Sequence, residues 1–278
     1  MSLLLFMLVV VCQHILPVDA CIAADSLQFA IIQPGQPGAP QDAQPVMDKL
    51  AAYLQTKFGA RAKVTGSYFN APAEALNSLR TQPPAWGIIS RGFYAAHGAE
   101  FAMLPIASTR PGGFNKDVLR LVVGRDAPDS WESLRGTVAG TMLFDATATA
   151  CELFGRPLQQ LPFGLVGTFQ PLKSVREVSM GKTAGVVLDR LQYQSLQSMS
   201  IAESIKIIMT SRELPTSPVV WFGPKTPLTE ELAAVLMAMP QDPDAALLLK
   251  TLQTDGFGPV DDDLQKIQKG RTDDVSCP

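Results

Sequence analysis

The chain has 278 residues, enough for two lobes of about 100–150 residues each rather than one core. Its 23 Lys and Arg against 26 Asp and Glu leave a net charge of −3 with the basic residues scattered, so it lacks the basic stripe that would neutralise a nucleic-acid backbone. Two histidines and four cysteines, none at ligand spacing, argue against a zinc centre.

Residues 3–11 are an unbroken apolar run, too short to cross roughly 30 Å of hydrocarbon as a helix. Pro17 and small residues follow, and Val18-Asp19-Ala20 and Ile22-Ala23-Ala24 both suit a cleavage point. Residues 1–24 therefore read as a secretory signal peptide, although no Lys or Arg precedes the run. Cys21 is a faint match to a lipoprotein anchor that Asp19 disfavours, so export to the periplasm without a lipid is the expectation. Cys12 falls in the signal, whereas Cys151 and Cys277 fall in the mature chain. An oxidising compartment permits a bridge between the latter two. A buried Cys151 and a free cysteine on a frayed tail is nevertheless the expectation, because a bridge would tie down a terminus.

Residues 27–32 predict a strand, broken by the Pro- and Gly-rich loop 33–38. Val46, Met47, Leu50, Leu54 and Phe58 recur at helical spacing, closed by Gly59. Residues 62–65 predict a second strand leading to Tyr68 in a loop, 73–79 a helix and 86–89 a third strand, before a helix starting at Ser90-Arg91-Gly92. Strands are expected at 104–107 and 119–123, separated by a Pro-Gly-Gly linker. A second alternating set follows: a short helix at 131–134, a strand at 137–142, a turn at 144–149 entering a helix through Phe154, and a helix at 172–180. Strands at 205–209 and 219–222 flank a return linker, and helices starting at Pro227 and at Asp242-Pro243 close the chain. Strands alternating with helices predict a mainly parallel α/β fold. Lobe 1 is expected over 25–108 and 219–278, lobe 2 over 117–209, with hinge crossings at 109–116 and 210–218.

Gly181-Lys182-Thr183 looks like the end of a phosphate-binding loop, but Arg176 stands where that loop needs its first glycine. The order is also reversed: a helix precedes Gly181, and the strand 185–188 follows, ending on Asp189. Catalytic chemistry finds little support. His97 is the one histidine beyond the signal and reads as a surface helix residue. Asp261-Asp262-Asp263 reads as a helix cap rather than a calcium site.

Binding remains. Ligands of open α/β sheets sit beyond the carboxyl ends of strands, and four such places stand out: Gln33-Pro34, Tyr68 to Asn70, Ser90 to Tyr94, and Phe144 to Thr149. The hydroxyls of Ser90, Thr147 and Thr149 fall where helices begin and either frame an anion or cap their own helices.

The chain resembles the phosphate/phosphite/phosphonate-type periplasmic binding proteins of ABC importers, within the two-lobed type 2 fold. The resemblance rests on Tyr68 with Leu79-Arg80, on Trp86 to Ser90 with Tyr94, and on Leu134 to Ala139. Gly181 to Asp189, Ser211 to Pro218 and Gly256-Phe257 complete it. It implies mixed sheets with flanking helices, a two-strand hinge, capture of a small polar ligand and delivery to a membrane permease, without catalysis, cofactor or metal. By position, Tyr68, Tyr94, Thr147, Ala148, Thr149 and Asp189 would line the cleft, with Gln33 and Ser90 beside them. The family's Ser-Thr-Ser-Gly run reads Thr147-Ala148-Thr149-Ala150 here, and Gly185 stands where the family has an acid. Asp145 and Asp189 near the cleft oppose a dianion, with Arg91, Arg110 and Arg190 as candidate counter-charges. An anionic or zwitterionic ligand, a monomeric binder and an ABC permease partner are the expectations. The alternative is an exported sensing or accessory protein without an importer.

Overall fold

The structure, a computed structural model, describes residues 25–36, 38–269 and 277. The signal segment 1–24, with Cys12 and Cys21, lies outside these residues.

The first half alternates strand and helix. Strand β1 (Asp25–Ile32), helix α1 (Pro40–Phe58), β2 (Ala62–Phe69), α2 (Pro72–Thr81), β3 (Trp86–Ile89), α3 (Arg91–His97) and β4 (Met103–Thr109) follow in order. The chain then crosses through β5 (Lys116–Asp117) into β6 (Arg120–Gly124), β7 (Thr137–Gly140), the short α4 (Ala146–Thr149) and β8 (Gly164–Gly167). Next come α5 (Pro171–Ser179), β9 (Gly185–Leu188), α6 (Arg190–Gln197) and β10 (Ile205–Thr210). It returns through β11 (Leu214–Pro215) to β12 (Pro218–Phe222), α7 (Pro227–Ala238), α8 (Ala246–Thr251), β13 (Phe257–Gly258) and α9 (Asp262–Lys269).

Two sheets result. One has the order β13-β4-β12-β3-β1-β2 and the other β10-β6-β9-β7-β8. In the first, β1 runs parallel to β2 and β3; in the second, β7 runs parallel to β8 and β9, and the strands beyond are antiparallel. The α/β crossovers place helices on both faces of each sheet, which is why the central strands are apolar on both sides. Leu27, Phe29 and Ile31 of β1 pack with α1 and α7, while Ala30 and Ile32 pack toward α2 and α3. In the second sheet Leu121 and Val123 face Trp131 and Phe154, and Val122 faces α5 and α6 through Val175, Val178 and Leu196. Each large side chain so buried contributes about 1.5–3 kcal/mol.

A third, two-stranded sheet joins them: Lys116 and Asp117 of β5 pair antiparallel with Pro215 and Leu214 of β11. Side chains lace the crossing. Thr216 Oγ1 donates to the Thr109 carbonyl at 2.6 Å, Thr109 Oγ1 to the Ser217 carbonyl at 3.1 Å, and Leu119 N to Ser211 Oγ at 2.9 Å. The fold is thus the two-lobed α/β arrangement with a two-strand hinge.

Four local expectations change. Tyr68 lies on β2, which runs on to Phe69, rather than in a loop. β8 escaped the periodicity because Gly-Leu-Val-Gly is too short to show one. The strand expected over 137–142 ends at Gly140 and gives way to a 3-10 turn, Thr141–Asp145. Cys277 is bonded to Cys151, with their Cα atoms 5.0 Å apart, within the ordinary range for a disulfide. A separation of 126 residues gave no sign of that proximity. Gly181-Lys182-Thr183, by contrast, is a helix stop as expected. Gly181 has φ 67°, and the Lys182 N–H returns to the Glu177 carbonyl at 2.8 Å, closing the end of α5.

Candidate ligand-binding cleft

The carboxyl ends of β1, β2 and β3 in one sheet face those of β7 and β9 in the other, and the segments leaving them meet. From lobe 1 come residues 33–36, with Asn70 behind them, and Ser90 to Gly92. From lobe 2 come the turn Thr141–Asp145, the helix that follows it, and Asp189.

Gly35, with φ +84°, lies so close to the Thr141 carbonyl and the Phe144 ring that a Cβ would overlap both. Its loop is held from behind by Asn70, whose Nδ2 donates to the carbonyls of Gln36 at 3.0 Å and Gly38 at 2.7 Å. At the start of α3, a Cβ on Gly92 would sit 2.7 Å from Asp145 Cβ. Beside it, Arg91 reaches across to Glu152. Its Nε donates to both carboxylate oxygens, at 3.0 and 3.1 Å, and its Nη2 to Oε2 at 2.9 Å. Nη1 donates to the Pro215 carbonyl in the hinge at 3.3 Å.

The Arg91 and Glu152 side chains are 9% and 13% exposed, so their pairing belongs to the buried regime, where geometry and desolvation decide the energy, and not to the weak surface regime. Burial works against the Arg91 charge. The field and hydrogen bonds of Glu152, with the weaker fields of Asp117 and Asp189, outweigh it and hold the guanidinium above its ordinary range. Glu152 lies in a π-helical turn, Ala150–Phe154, that continues α4; such turns recur at functional positions.

Asp189 caps α6. Its Oδ1 accepts from Gln192 N at 2.8 Å, and Gln192 Oε1 accepts from Asp189 N at 3.3 Å, a reciprocal capping pair. Gln192 Nε2 donates on to Thr141 Oγ1 at 2.9 Å. Asp117 adds a second acid, accepting from Val118 N at 2.7 Å and Arg190 N at 3.0 Å. Burial, then the charge of Asp117, push the Asp189 carboxyl up to about 6 against the pull of its backbone hydrogen bonds and of Arg91.

The expected site residues divide. Gln33 is half-buried on the loop that meets lobe 2. Tyr68, half-buried at the end of β2, has a hydroxyl raised by burial, and its ring packs on the lobe-1 core. Ser90 caps α3, accepting from Phe93 N at 3.3 Å. Tyr94 is 1% exposed in the lobe-1 core, where its hydroxyl donates to the Leu264 carbonyl at 3.3 Å and is pushed up to about 12 by burial. The structure gives it a packing role. Thr147 is exposed and Ala148 half-buried, while Thr149 is buried and donates to the Met142 carbonyl at 3.4 Å. Of the candidate counter-charges Arg91 bridges to Glu152, while Arg110 and Arg190 each bury an Nε that has no hydrogen-bond partner among the described residues. Arg190 stacks 4.4 Å from the Phe114 ring centroid and lies 3.7 Å from Glu213, and Arg110 donates to the Gly113 carbonyl at 3.3 Å.

Sequence reasoning did not single out Glu152, Asp117, Gln192 or Gly35. Asp145 and Glu152 stand seven residues apart around the hydroxyl run, and that spacing was the available signal. Among the described residues no group of three His, Cys, Asp or Glu side chains is placed to hold a metal. A groove of about 450 Å³ lies beside the hinge, lined by Arg110, Lys116 and Asp261 to Asp263, but none of the junction residues lines it. Lys116, Asp261, Asp263 and Lys266 pair there, Lys116 lying 2.6 Å from Asp261 and 3.0 Å from Asp263.

Residues 38–264 match the family model of phosphonate periplasmic substrate-binding proteins of ABC transporters. No curated protein matches at a significant level. Among solved structures, XAC2383 from Xanthomonas citri bound to chloride ion superposes with a TM-score of 0.69 at 19% identity, covering 88% of this chain and 96% of that one. Its ATP-bound structure gives 0.67 at 17% identity, covering 89% and 97%. PhnD1 from Prochlorococcus marinus in complex with methylphosphonate gives 0.63 at 12% identity, covering 88% and 98%. At such identities these structures show a shared fold. The family match spans most of the chain, so this protein belongs to the phosphonate family of periplasmic substrate-binding proteins of ABC transporters, solute binders rather than enzymes.

Proposed function

We propose that this chain is exported by the segment 1–24, without lipidation at Cys21, and works as a monomer. In this reading it captures a small zwitterionic ligand, acidic at one end and amino- or donor-bearing at the other, and presents it to an ABC permease. Residues 25–108 with 219–278 and residues 117–209 are the two moving lobes, turning about 109–116 and 210–218. Arg91 receives the ligand's acidic group, Gln33, Tyr68, Ser90, Thr147, Ala148 and Thr149 border the cleft, and Asp189 receives the positive end.

One observation carries this reading: the buried guanidinium of Arg91 bridges the lobes with three carboxylates, those of Glu152, Asp189 and Asp117, within its electrostatic reach. A dianion placed there would meet opposing carboxylates at partly buried distances. A ligand bringing its own cation would relieve the raised carboxyl of Asp189. The fold neighbours support breadth of ligand chemistry, since PhnD1 is bound to methylphosphonate and XAC2383 to chloride or ATP.

Calorimetric titration with 2-aminoethylphosphonate, methylphosphonate and inorganic phosphate tests the charge class. The aminophosphonate should bind most tightly. Tighter binding of phosphate, or no heat with any of the three, would overturn the zwitterion assignment.

A further inference from the structure

The ion pair between the lobes has the geometry of a ligand contact. A guanidinium offering Nε and Nη2 to both oxygens of a carboxylate is the fork by which Arg recognises acidic ligands, and here the carboxylate is the chain's own Glu152. Glu152 comes from lobe 2 and Arg91 from lobe 1, so the contact exists only while the lobes touch. Asp145, from the same lobe-2 segment, packs against Gly92 next to Arg91. The place on lobe 1 best suited to an anion is thus taken by carboxylates of lobe 2.

We propose that Glu152 is an internal competitor for the ligand: its carboxylate occupies on Arg91 the place of the ligand's acidic group, so binding is an exchange in which that group displaces Glu152. The proposal rests on the reading of the cleft as a small-molecule site. An internal competitor lowers apparent affinity by the fraction of molecules in which Arg91 is free, and it rejects weak or poorly shaped acids that cannot match a bidentate partner. Glu152 then sets the threshold a ligand must exceed, which makes it a specificity-determining residue that need not touch the bound ligand.

Small-angle scattering and calorimetry with 2-aminoethylphosphonate on the wild type, E152Q and E152D test this. E152Q keeps the side chain's size and removes its charge. Its radius of gyration should rise, because solvating Arg91 now competes with a neutral amide, and its affinity should increase by roughly tenfold if the latched form outnumbers the free form by that ratio. E152D keeps the charge but withdraws it by one methylene, should shift both readouts the same way by less, and serves if E152Q melts without a cooperative transition. An unchanged radius of gyration in the variants overturns the latch. A wild type that binds, with E152Q binding no tighter, overturns the competition. No heat in wild type or variants overturns instead the ligand reading on which the proposal rests, an outcome distinct from either.

Discussion

The two walls of the cleft differ in charge. Lobe 1 brings Arg91 to the junction, whereas lobe 2 brings Asp145 and Glu152, with Asp189 and Asp117 within the field of Arg91. Both walls are built alike, from the ends of three parallel strands. The backbone therefore supplies two like sets of strand ends, and side-chain charge tells them apart. Opposite charges on the two walls attract one another across the junction.

The largest effect should come from breaking that attraction on the cationic side. R91Q leaves Glu152 and Asp189 without their counter-charge, and removal of one partner from a buried pair costs about 3–5 kcal/mol in a rigid protein. Here the lobes can separate and hydrate the orphaned acids, so part of that cost should appear as a larger radius of gyration and the rest as a lower melting temperature. A variant as compact and as stable as the wild type would show that the walls do not attract through Arg91.

The disulfide comes next. Cys277 follows the last lobe-1 helix, and Cys151 neighbours Glu152, so their bond ties the tail of one lobe to the cleft wall of the other. Replacing both cysteines by serine should lower stability by about 2–4 kcal/mol, read as a shift in the urea midpoint; reduction of the wild type should reproduce it. Free thiols at both positions in the purified, oxidised protein would contradict the bond.

Asp189 sharpens the contrast in the other direction. Its folded-state value of about 6 lies above the ordinary carboxylate value of 3.8, so the native state holds a proton between these pH values that the unfolded chain has released. Stability from this group is therefore highest below about pH 4 and is lost as pH rises through 6, a penalty of about 2–3 kcal/mol at neutrality. D189N keeps an oxygen for the α6 cap and removes the charge. It should be more stable than the wild type at pH 7, with the difference vanishing near pH 4. Equal urea midpoints at both pH values would mean that the carboxyl titrates normally.

The smallest effect tests the contact itself. G92A places a methyl against Asp145 while improving the propensity of α3 by about 0.5–1 kcal/mol. Melting temperature should hold or rise slightly while the radius of gyration grows. No change in radius would place Asp145 elsewhere in solution.

Much of this architecture was legible in the residues, because strand ends and helix stops carry local signals. Trp86 to Ile89 and Gly185 to Leu188 read directly as strands, and Gly181 as a stop. The four strand-end segments were also visible, and three of them meet across the lobes at Gly35, Gly92 and the 141–145 turn. What stayed hidden depends on distance through space. Nothing local pairs Arg91 with Glu152, 61 residues on, or Cys151 with Cys277. Tyr94 resembled a cleft residue by position, but an aromatic four residues past Ser90 turns into the core. Ser90 and Asp189 proved to serve their own helices, a role compatible with the cleft that position alone cannot separate from it.

The most direct test of the central claim is the affinity of the wild type and of R91K for 2-aminoethylphosphonate at pH 7, measured by calorimetry on proteins shown to be folded. R91K retains the positive charge and loses the two-pronged geometry. A saturable one-to-one heat in the wild type, weakened by roughly tenfold or more in R91K, is the expected result. Equal affinities, or no binding to either protein, would contradict Arg91 as the anchor of the cleft.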